Sequence, residues 1–353
     1  MAKIFITGIA GFLGSHVADA CLARGDIVAG NDSLVCGDVD NVPHGVARFV
    51  QLECQANPPA MWRRPLAEEL KAFKPDTLIH CAATAHEGVS TFSPHFVTRN
   101  IFEASVATFS AAIAAGVKRI VFMSSMSRYG NEGRSPREYG LYLPPFKEEY
   151  EPNPVDCYGI AKVAAEDCLK NLCNSHGVNY SILVPHNIIG IRQKYDDAMR
   201  NVASIMINRV LQGRPPIIYG DGEQKRCFSP VADCLPSILK AVDGAADGEI
   251  VNIGPDGGEI TINELAAHVL RLCGATDMNV IHYPDRPNEV KNAYCSSEKV
   301  RRLLGYKPMQ TLESCLHDMV QDIKRRGTKP FKYFVPLEII TDKTPKTWVE
   351  KLF

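Results

Sequence analysis

The sequence lacks the features that would tie it to a membrane or to nucleic acid. None of its 353 residues belongs to an apolar run near the roughly 18 residues that a membrane helix needs. Lys and Arg total 39 against 40 Asp and Glu, a formal net charge of −1, so there is no bulk positive field. The first residues lack the pattern of a secretory signal. We therefore expect neither a membrane nor a nucleic-acid partner.

The cysteine spacing also argues against a metal centre. The twelve cysteines form no C-x-x-C pair and no zinc spacing. Most lie among apolar residues, as small buried hydrophobes do in a reducing compartment. We expect no metal and a cytoplasmic protein. Apolar residues at 45% and charged residues at 22% are typical of a globular chain.

Short β-rich runs alternate with helical segments through the first half of the chain. This alternation predicts an α/β fold, a Rossmann-like doubly wound parallel sheet with a smaller substrate-binding lobe that follows it in the chain. We expect a dinucleotide-binding domain over 1–184, with later elements at about 226–255 interleaved, a lobe over 185–330, and a tail over 331–353 that packs on the surface. The predicted strands are 3–7, 27–31, 77–81, 119–124 and 180–184, and the predicted helices are 14–24, 65–73, 99–115 and 158–176.

A glycine triplet follows the first predicted strand and opens a helix. Such a loop lets backbone N–H groups approach a pyrophosphate at the helix N-terminus. Asp32 closes the second strand, where a carboxylate accepts both hydroxyls of an adenosine ribose and repels a 2′-phosphate. The pattern favours NAD over NADP. The predicted loop contacts are Gly8, Gly11, Phe12, Leu13 and Gly14.

A tyrosine and a lysine lie one helical turn apart, at Tyr158 and Lys162. A free phenol titrates near 10, and a neighbouring cation favours its ionised form, so the pair is a candidate proton acceptor. Ser125 follows a predicted strand at its carboxyl end, where ligands bind in open parallel sheets. We expect these three side chains to be catalytic.

Taken together, these residues resemble the extended short-chain dehydrogenase/reductase family, in particular nucleotide-sugar epimerases of the UDP-glucose 4-epimerase type. The resemblance covers residues 1 to about 310 and implies bound NAD, a UDP-sugar substrate and a homodimer. It also implies that Ala82, Ala83 and Asn100 lie beside the cofactor, as do Tyr158 and Lys162. The substrate contacts that it implies are Ser125, Ser127, Asn187, Asn201, Tyr219, Arg226, Arg286 and Glu289.

The resemblance also implies the reaction. Relatives begin with hydride transfer from C4 of the sugar to NAD. A 4,6-dehydratase then needs an acid/base pair just after the catalytic hydroxyl, and a decarboxylase commonly has Glu two residues after it; this chain has Met126 and Ser127. The 4-keto sugar then takes hydride back on its other face, which predicts a UDP-glucose/UDP-galactose 4-epimerase. Alternatives are a UDP-glucuronate or UDP-N-acetylglucosamine 4-epimerase, or a dehydratase or reductase of the family.

Some positions leave the choice of sugar open. Arg128, Arg192 and Lys194 are candidates to pair with a glucuronate carboxylate, whereas a small residue at Ala293 leaves room for an N-acetyl group. The segment 84–90, with His86 and Glu87, either touches the hexose or forms a surface loop. Residues 131–149 are longer than the family's usual loop. The predicted helices 100–115 and 158–176 carry apolar stripes that form a two-fold contact in relatives, or else pack inside one subunit.

Overall fold

The computed structural model describes residues 1–55, 65–134 and 141–353. Part of the predicted 131–149 insertion therefore lies outside the described residues. Seven parallel strands form the central sheet, in the order β7-β6-β5-β4-β1-β2-β3. The strand bounds are β1 (Lys3–Thr7), β2 (Ile27–Asp32), β3 (Arg48–Gln51), β4 (Thr77–His80), β5 (Arg119–Met123), β6 (Asn179–Pro185) and β7 (Ile250–Ile253).

Helices cover both faces of this sheet. On one face α1 packs against α7, and on the other α2, α4 and α5 pack side by side, which gives three layers with an apolar core on each side of the sheet. The predicted doubly wound fold is confirmed. The helix bounds are α1 (Phe12–Ala23), α2 (Pro65–Phe73), α3 (Pro94–Thr98), α4 (Ala104–Ala114), α5 (Cys157–His176), α6 (Val202–Leu211), α7 (Val231–Val242), α8 (Ile262–Cys273), α9 (Glu298–Leu304), α10 (Leu312–Arg326) and α11 (Lys346–Val349).

The strand order reverses between β1 and β4, which both point their carboxyl ends at the same edge. Ligands of open parallel sheets bind at this switch point. The lobe stands at the same edge, where α6, α8 and α10 share a third apolar core. Short strand pairs complete the structure: 217–219 with 281–283, 225–226 with 260–261 and 292–293, 188–189 with 229–230, and 133–134 with 141–142.

Two predictions differ from the structure. The predicted helix 99–115 is interrupted, because Arg99–Glu103 forms a π-helical turn between α3 and α4. Such turns are frequent at functional sites, and Asn100 lies in this one. The tail is not wholly superficial, since much of it is exposed but Trp348 is only 2% exposed. No helix of the described part of the chain is long and apolar enough to cross a membrane.

Candidate functional site

One cavity of about 460 Å³ opens at the switch point, between the sheet and the lobe. It brings together elements from the first strand to the tail. Ser127 alone among the predicted site residues is absent from its lining. The predicted residues that line it are Gly8, Gly11, Phe12, Leu13, Gly14, Asp32, Ala82, Ala83, Asn100, Ser125, Tyr158, Lys162, Asn187, Asn201, Tyr219, Arg226, Arg286 and Glu289.

The glycine loop fits the pyrophosphate of a dinucleotide. Gly8 has φ +72°, and a Cβ there would lie 2.8 Å from the Ala82 backbone nitrogen. A Cβ at Gly14 would lie 2.1 Å from the Gly8 carbonyl oxygen, so α1 can start this close to β1 only without side chains. The N-terminus of α1 therefore faces the cavity, and no side chain of the glycines covers its backbone N–H groups, as anion binding requires.

Asp32 is fixed at the adenosine end of the cavity. Its carboxylate accepts hydrogen bonds from the backbone N–H groups of Ala10, at 3.1 Å, and Leu34, at 2.8 Å. Burial raises its pKa, and these backbone bonds and the charge of Arg200 act against that rise. Each carboxylate oxygen keeps a further lone pair, so the side chain can accept from a ribose diol, as its position at the end of β2 predicts.

Tyr158 is held by the start of α5. The Asp156 side chain caps this helix by accepting from the Gly159 backbone N–H at 2.8 Å. Burial raises the pKa of the Tyr158 phenol to about 12, while a hydrogen bond with the Ser125 side chain and the charge of Arg200 act to lower it. Ser125 and Tyr158 therefore line the same cavity, with the serine hydroxyl near enough to act on the phenol.

Lys162 lies one helical turn after Tyr158 on α5 and lines the same cavity. Its ammonium group donates to the Met123 carbonyl oxygen at 2.8 Å, and Nζ lies 6.0 Å from the centre of the Tyr158 ring. Burial lowers its pKa to about 8. Lys162 is thus fixed at the end of β5, and Arg200 is a further cation whose charge acts on the phenol.

Ser127 lies behind Ser125. The Ser125 hydroxyl donates to the Ser127 hydroxyl at 3.2 Å and accepts from the Ser127 backbone N–H at the same distance. Ser127 is 6% exposed and takes no part in the cavity wall. The sequence prediction that Ser127 touches substrate has no counterpart in this geometry, because the turn after β5 directs Ser125 into the cavity and Ser127 away from it.

Two arginines meet at the lobe side of the cavity. Arg286 donates twice to one carboxylate oxygen of Glu289, at 3.0 and 2.7 Å, and Arg226 donates to the other oxygen at 3.0 Å. Both guanidinium groups line the cavity, and their planar forks match phosphate oxygens. The resemblance implied that Glu289 contacts the substrate; here its carboxylate holds the arginine pair together.

The remaining predicted contacts lie on the lobe loops. Asn187 has φ +43°, a left-handed conformation found preferentially at functional sites, and donates to the Cys227 carbonyl oxygen at 3.0 Å. The Asn201 side chain caps α6 by accepting from the Ala203 backbone N–H at 3.1 Å. The Tyr219 ring lies under the Arg286 guanidinium, 4.8 Å from its centre to Cζ.

The cations considered for a uronate carboxylate are engaged elsewhere. Arg128 pairs with Glu166 at 3.1 Å, Arg192 with Asp19 at 2.6 Å, and Lys194 with Asp196 at 3.4 Å. None of the three lines the cavity, and neither does Ala293, which is buried in a strand beside Arg226. The expected contacts with the sugar have no counterpart here, because Arg128 and Arg192 pair with residues distant in the sequence and Lys194 pairs with its neighbour Asp196.

Glu87 is a further charged residue that lines the cavity. Its side chain faces the cavity. Burial and the charge of Asp156 raise its pKa to about 7, while the charges of Arg226 and Arg286 act to lower that pKa. His86 beside it turns inward and pairs with Asp197 at 2.8 Å. The segment 84–90 therefore contributes Glu87, and not His86, to the site.

Arg200 is the residue that sequence reasoning missed. It lines the cavity from the loop before α6, and no hydrogen bond or ion pair joins it to another described residue. Its charge reaches both Asp32 and Tyr158. Its only signal in the sequence is its place directly before Asn201.

Comparison with known proteins agrees with this geometry. A family model described as "NAD dependent epimerase/dehydratase family" matches residues 4–254. UDP-glucose 4-epimerase of Mycolicibacterium smegmatis is 29% identical over 327 residues, which is 92% of this chain and 99% of that protein. UDP-glucuronic acid decarboxylase 2 of Arabidopsis thaliana is 27% identical over 92% of this chain and 68% of that protein. The crystal structure of UDP-glucose 4-epimerase from Thermotoga maritima with UDP-glucose superposes with a TM-score of 0.81, at 28% identity, over 92% of this chain and 99% of that one.

Proposed function

Because this chain belongs to the NAD dependent epimerase/dehydratase family, we propose that it is a UDP-hexose 4-epimerase that interconverts UDP-glucose and UDP-galactose. The observation that carries the proposal is that Ser125 and Tyr158 line one cavity together with the glycine loop and the Arg226–Arg286 pair. One end of the cavity suits a dinucleotide and the other a diphosphate. The hydroxyl pair lies between them.

The chain's own groups account for the proton transfers. Tyr158 accepts the proton of the 4-hydroxyl group, and Ser125 hydrogen-bonds the same sugar oxygen and orients it. NAD, when bound, supplies the reversible oxidation at C4 and adds a positive ring charge beside the phenol. Burial raises the Tyr158 pKa to about 12, so the phenolate forms near neutral pH only if nearby positive charges stabilise it. Arg200 contributes one such charge.

The two positions after Ser125 carry no acid or base that would divert the keto sugar. Met126, which lines the cavity after Ser125, carries no titrating proton, and Ser127 is buried behind it. Loss of water or of carboxylate would require a group that neither position supplies. This supports return of the sugar to the alcohol level with C4 inverted, and it disfavours the dehydratase and reductase alternatives.

The charges around the sugar favour a neutral hexose. The Glu87 charge acts on Tyr158 and on Arg226. A carboxylate in this cavity repels a uronate, and the three cations considered for the uronate carboxylate are paired outside the cavity. We therefore rank UDP-glucose and UDP-galactose first, ahead of UDP-glucuronate and UDP-N-acetylglucosamine.

The test is conversion of UDP-sugars without added cofactor. The purified protein is incubated separately with UDP-glucose, UDP-galactose, UDP-glucuronate and UDP-N-acetylglucosamine, and the products are followed by NMR. We expect the 4-epimer of glucose or galactose with no net NADH. A deoxy-keto sugar or a pentose product would overturn the proposal. Tyr158→Phe should lower turnover by about 10²–10⁴-fold, the usual contribution of acid–base catalysis, and leave NAD bound.

We further propose a cytoplasmic homodimer. All twelve cysteines are free thiols, which suits a reducing compartment. Two large apolar side chains, Phe102 and Ile160, are 37% and 53% exposed on the helices that the resemblance assigns to the subunit contact. Light scattering should give twice the chain mass, and Ile160→Glu should shift the protein toward monomer.

A further inference from the structure

The tail, residues 331–353, is fastened to both halves of the molecule. On the sheet side, the Glu338 carboxylate accepts from the backbone N–H groups of His95, at 2.9 Å, and Phe96, at 2.7 Å, at the start of α3. On the lobe side, the Leu352 carbonyl oxygen accepts from Arg209 at 3.2 Å and from Arg214 at 2.9 Å. The stretch between these anchors spans the gap between sheet and lobe.

Trp348 lies in the middle of this stretch. Its ring centre is 6.0 Å from that of Phe92 on the sheet side and 6.3 Å from that of Tyr219 on the lobe side, both in edge-on arrangements. The residue is 98% buried, yet it lines the cavity, as does Phe353. An aromatic wall therefore closes the cavity where the tail crosses it.

This wall adjoins the proposed diphosphate contacts. The Arg286 guanidinium lies on one side of Tyr219, 4.8 Å from the ring centre, and Trp348 lies on another. A ligand whose phosphates meet Arg226 and Arg286 would extend its nucleoside toward Tyr219. Aromatic side chains beside a base contribute affinity because every base has a π-face.

We propose that the tail completes the nucleotide-sugar site, with Trp348 as the wall that contacts the nucleoside beside Tyr219. The proposal rests on the function proposed above, from which the class of ligand is taken. The competing view is that Trp348 only fastens the lobe to the sheet domain. The two views predict different results for replacement of Trp348. If the residue only joins the lobe to the sheet domain, its loss lowers stability alone; if it contacts the nucleoside, its loss also weakens nucleotide binding.

Intrinsic fluorescence reports on Trp348 directly. The chain has two tryptophans, and Trp62→Phe leaves Trp348 as the only one. In this variant, with NAD bound, we expect a saturable change in emission on titration with UDP, at a midpoint that matches calorimetry. If calorimetry shows UDP bound and the emission stays constant, the wall is excluded. This arm needs no change to the tail and so holds even if tail variants fold poorly.

Affinity supplies the second arm. We expect Trp348→Ala to weaken UDP binding about 5- to 150-fold, the span that loss of an aromatic–base contact gives, and Trp348→Phe to restore most of it. NAD affinity should stay at the wild-type value. The matched control is Ile340→Ala, a tail residue 62% exposed. A folded Trp348→Ala protein that binds UDP as tightly as wild type would overturn the proposal.

The outcomes also separate this proposal from the proposed function. A wild-type protein that binds UDP through Trp348 but converts no UDP-hexose would contradict the epimerase assignment and leave the wall in place. If the wild-type protein epimerises UDP-glucose and Trp348→Ala leaves UDP affinity unchanged, the epimerase assignment stands and the role of Trp348 in nucleotide binding is contradicted.

Discussion

The Lys162 ammonium group lies 6.0 Å from the centre of the Tyr158 ring and donates a 2.8 Å hydrogen bond to the Met123 carbonyl oxygen. Burial disfavours its charge and lowers its pKa to about 8 from an ordinary value of 10.5. In an unfolded chain the same lysine keeps its proton to higher pH. Its protonation therefore couples to folding.

This coupling predicts how stability depends on pH. Between about pH 8 and 10 the unfolded state binds more protons at Lys162 than the folded state does, so the lysine's destabilising effect is present below pH 8 and fades as the pH rises. The free energy of unfolding of the nucleotide-free protein should gain up to about 1.4 kcal/mol per pH unit from this residue. Denaturant unfolding at pH 7.5 and 9.5, for wild type and Lys162→Met, measures it.

The variant should lack this gain. Lys170→Met, on the same helix but with a side chain only partly buried, is the matched control and should keep the wild-type slope. Equal slopes in wild type and Lys162→Met would mean that Lys162 stays charged in the folded protein. The test is the difference in slope between the two proteins, because buried thiols and the Tyr158 phenol, whose pKa values burial raises, act in the opposite direction in both of them.

Arg200 predicts a shift in the pH dependence of catalysis. Its charge acts to lower the Tyr158 pKa, so Arg200→Met should raise the pKa that governs the rise of kcat/KM with pH. The acidic limb of the pH–rate profile should move to higher pH. Arg192→Met, which removes a cation already paired with Asp19 outside the cavity, should leave that limb where it is. If the acidic limb of the Arg200→Met profile stays at the wild-type pH, Arg200 does not influence the ionisation of the phenol.

The sequence predicted those parts of the site that depend on local order. The glycine loop must lie between β1 and α1 because strand, turn and helix are consecutive, and α2 spans Pro65–Phe73, the predicted bounds. Positions set by contacts between distant segments were not predictable. Arg128 meets Glu166 across the sheet domain, Arg200 reaches the cavity from a loop, and Trp348 returns to it from the tail. No periodicity or spacing specifies such contacts.

Glu87 predicts discrimination between neutral and acidic sugars. Its raised pKa, about 7, leaves the carboxyl largely neutral below pH 7 and charged above it. Inhibition of UDP-glucose conversion by UDP-glucuronate should therefore weaken as the pH rises from 6 to 8, because two carboxylates then repel each other. Glu87→Gln should remove this dependence and bind the uronate more tightly at pH 8. Glu103→Gln, on an exposed helix position, should behave as wild type, and a pH dependence that survives in Glu87→Gln would assign it to another group.

The buried Arg128–Glu166 pair predicts a large loss of stability when one partner is removed. Both side chains are at most 2% exposed, and Glu166 also accepts from the Ser124 hydroxyl, next to catalytic Ser125. Arg128→Met leaves an uncompensated buried carboxylate and should lower the free energy of unfolding by about 3–5 kcal/mol. The double variant Arg128→Met/Glu166→Leu should recover much of this, since apolar replacement of a whole buried pair is often neutral. Denaturant unfolding of the single and double variants checks both values, and a double variant no more stable than Arg128→Met alone would show that Glu166 stabilises the fold through Ser124 and not through the arginine.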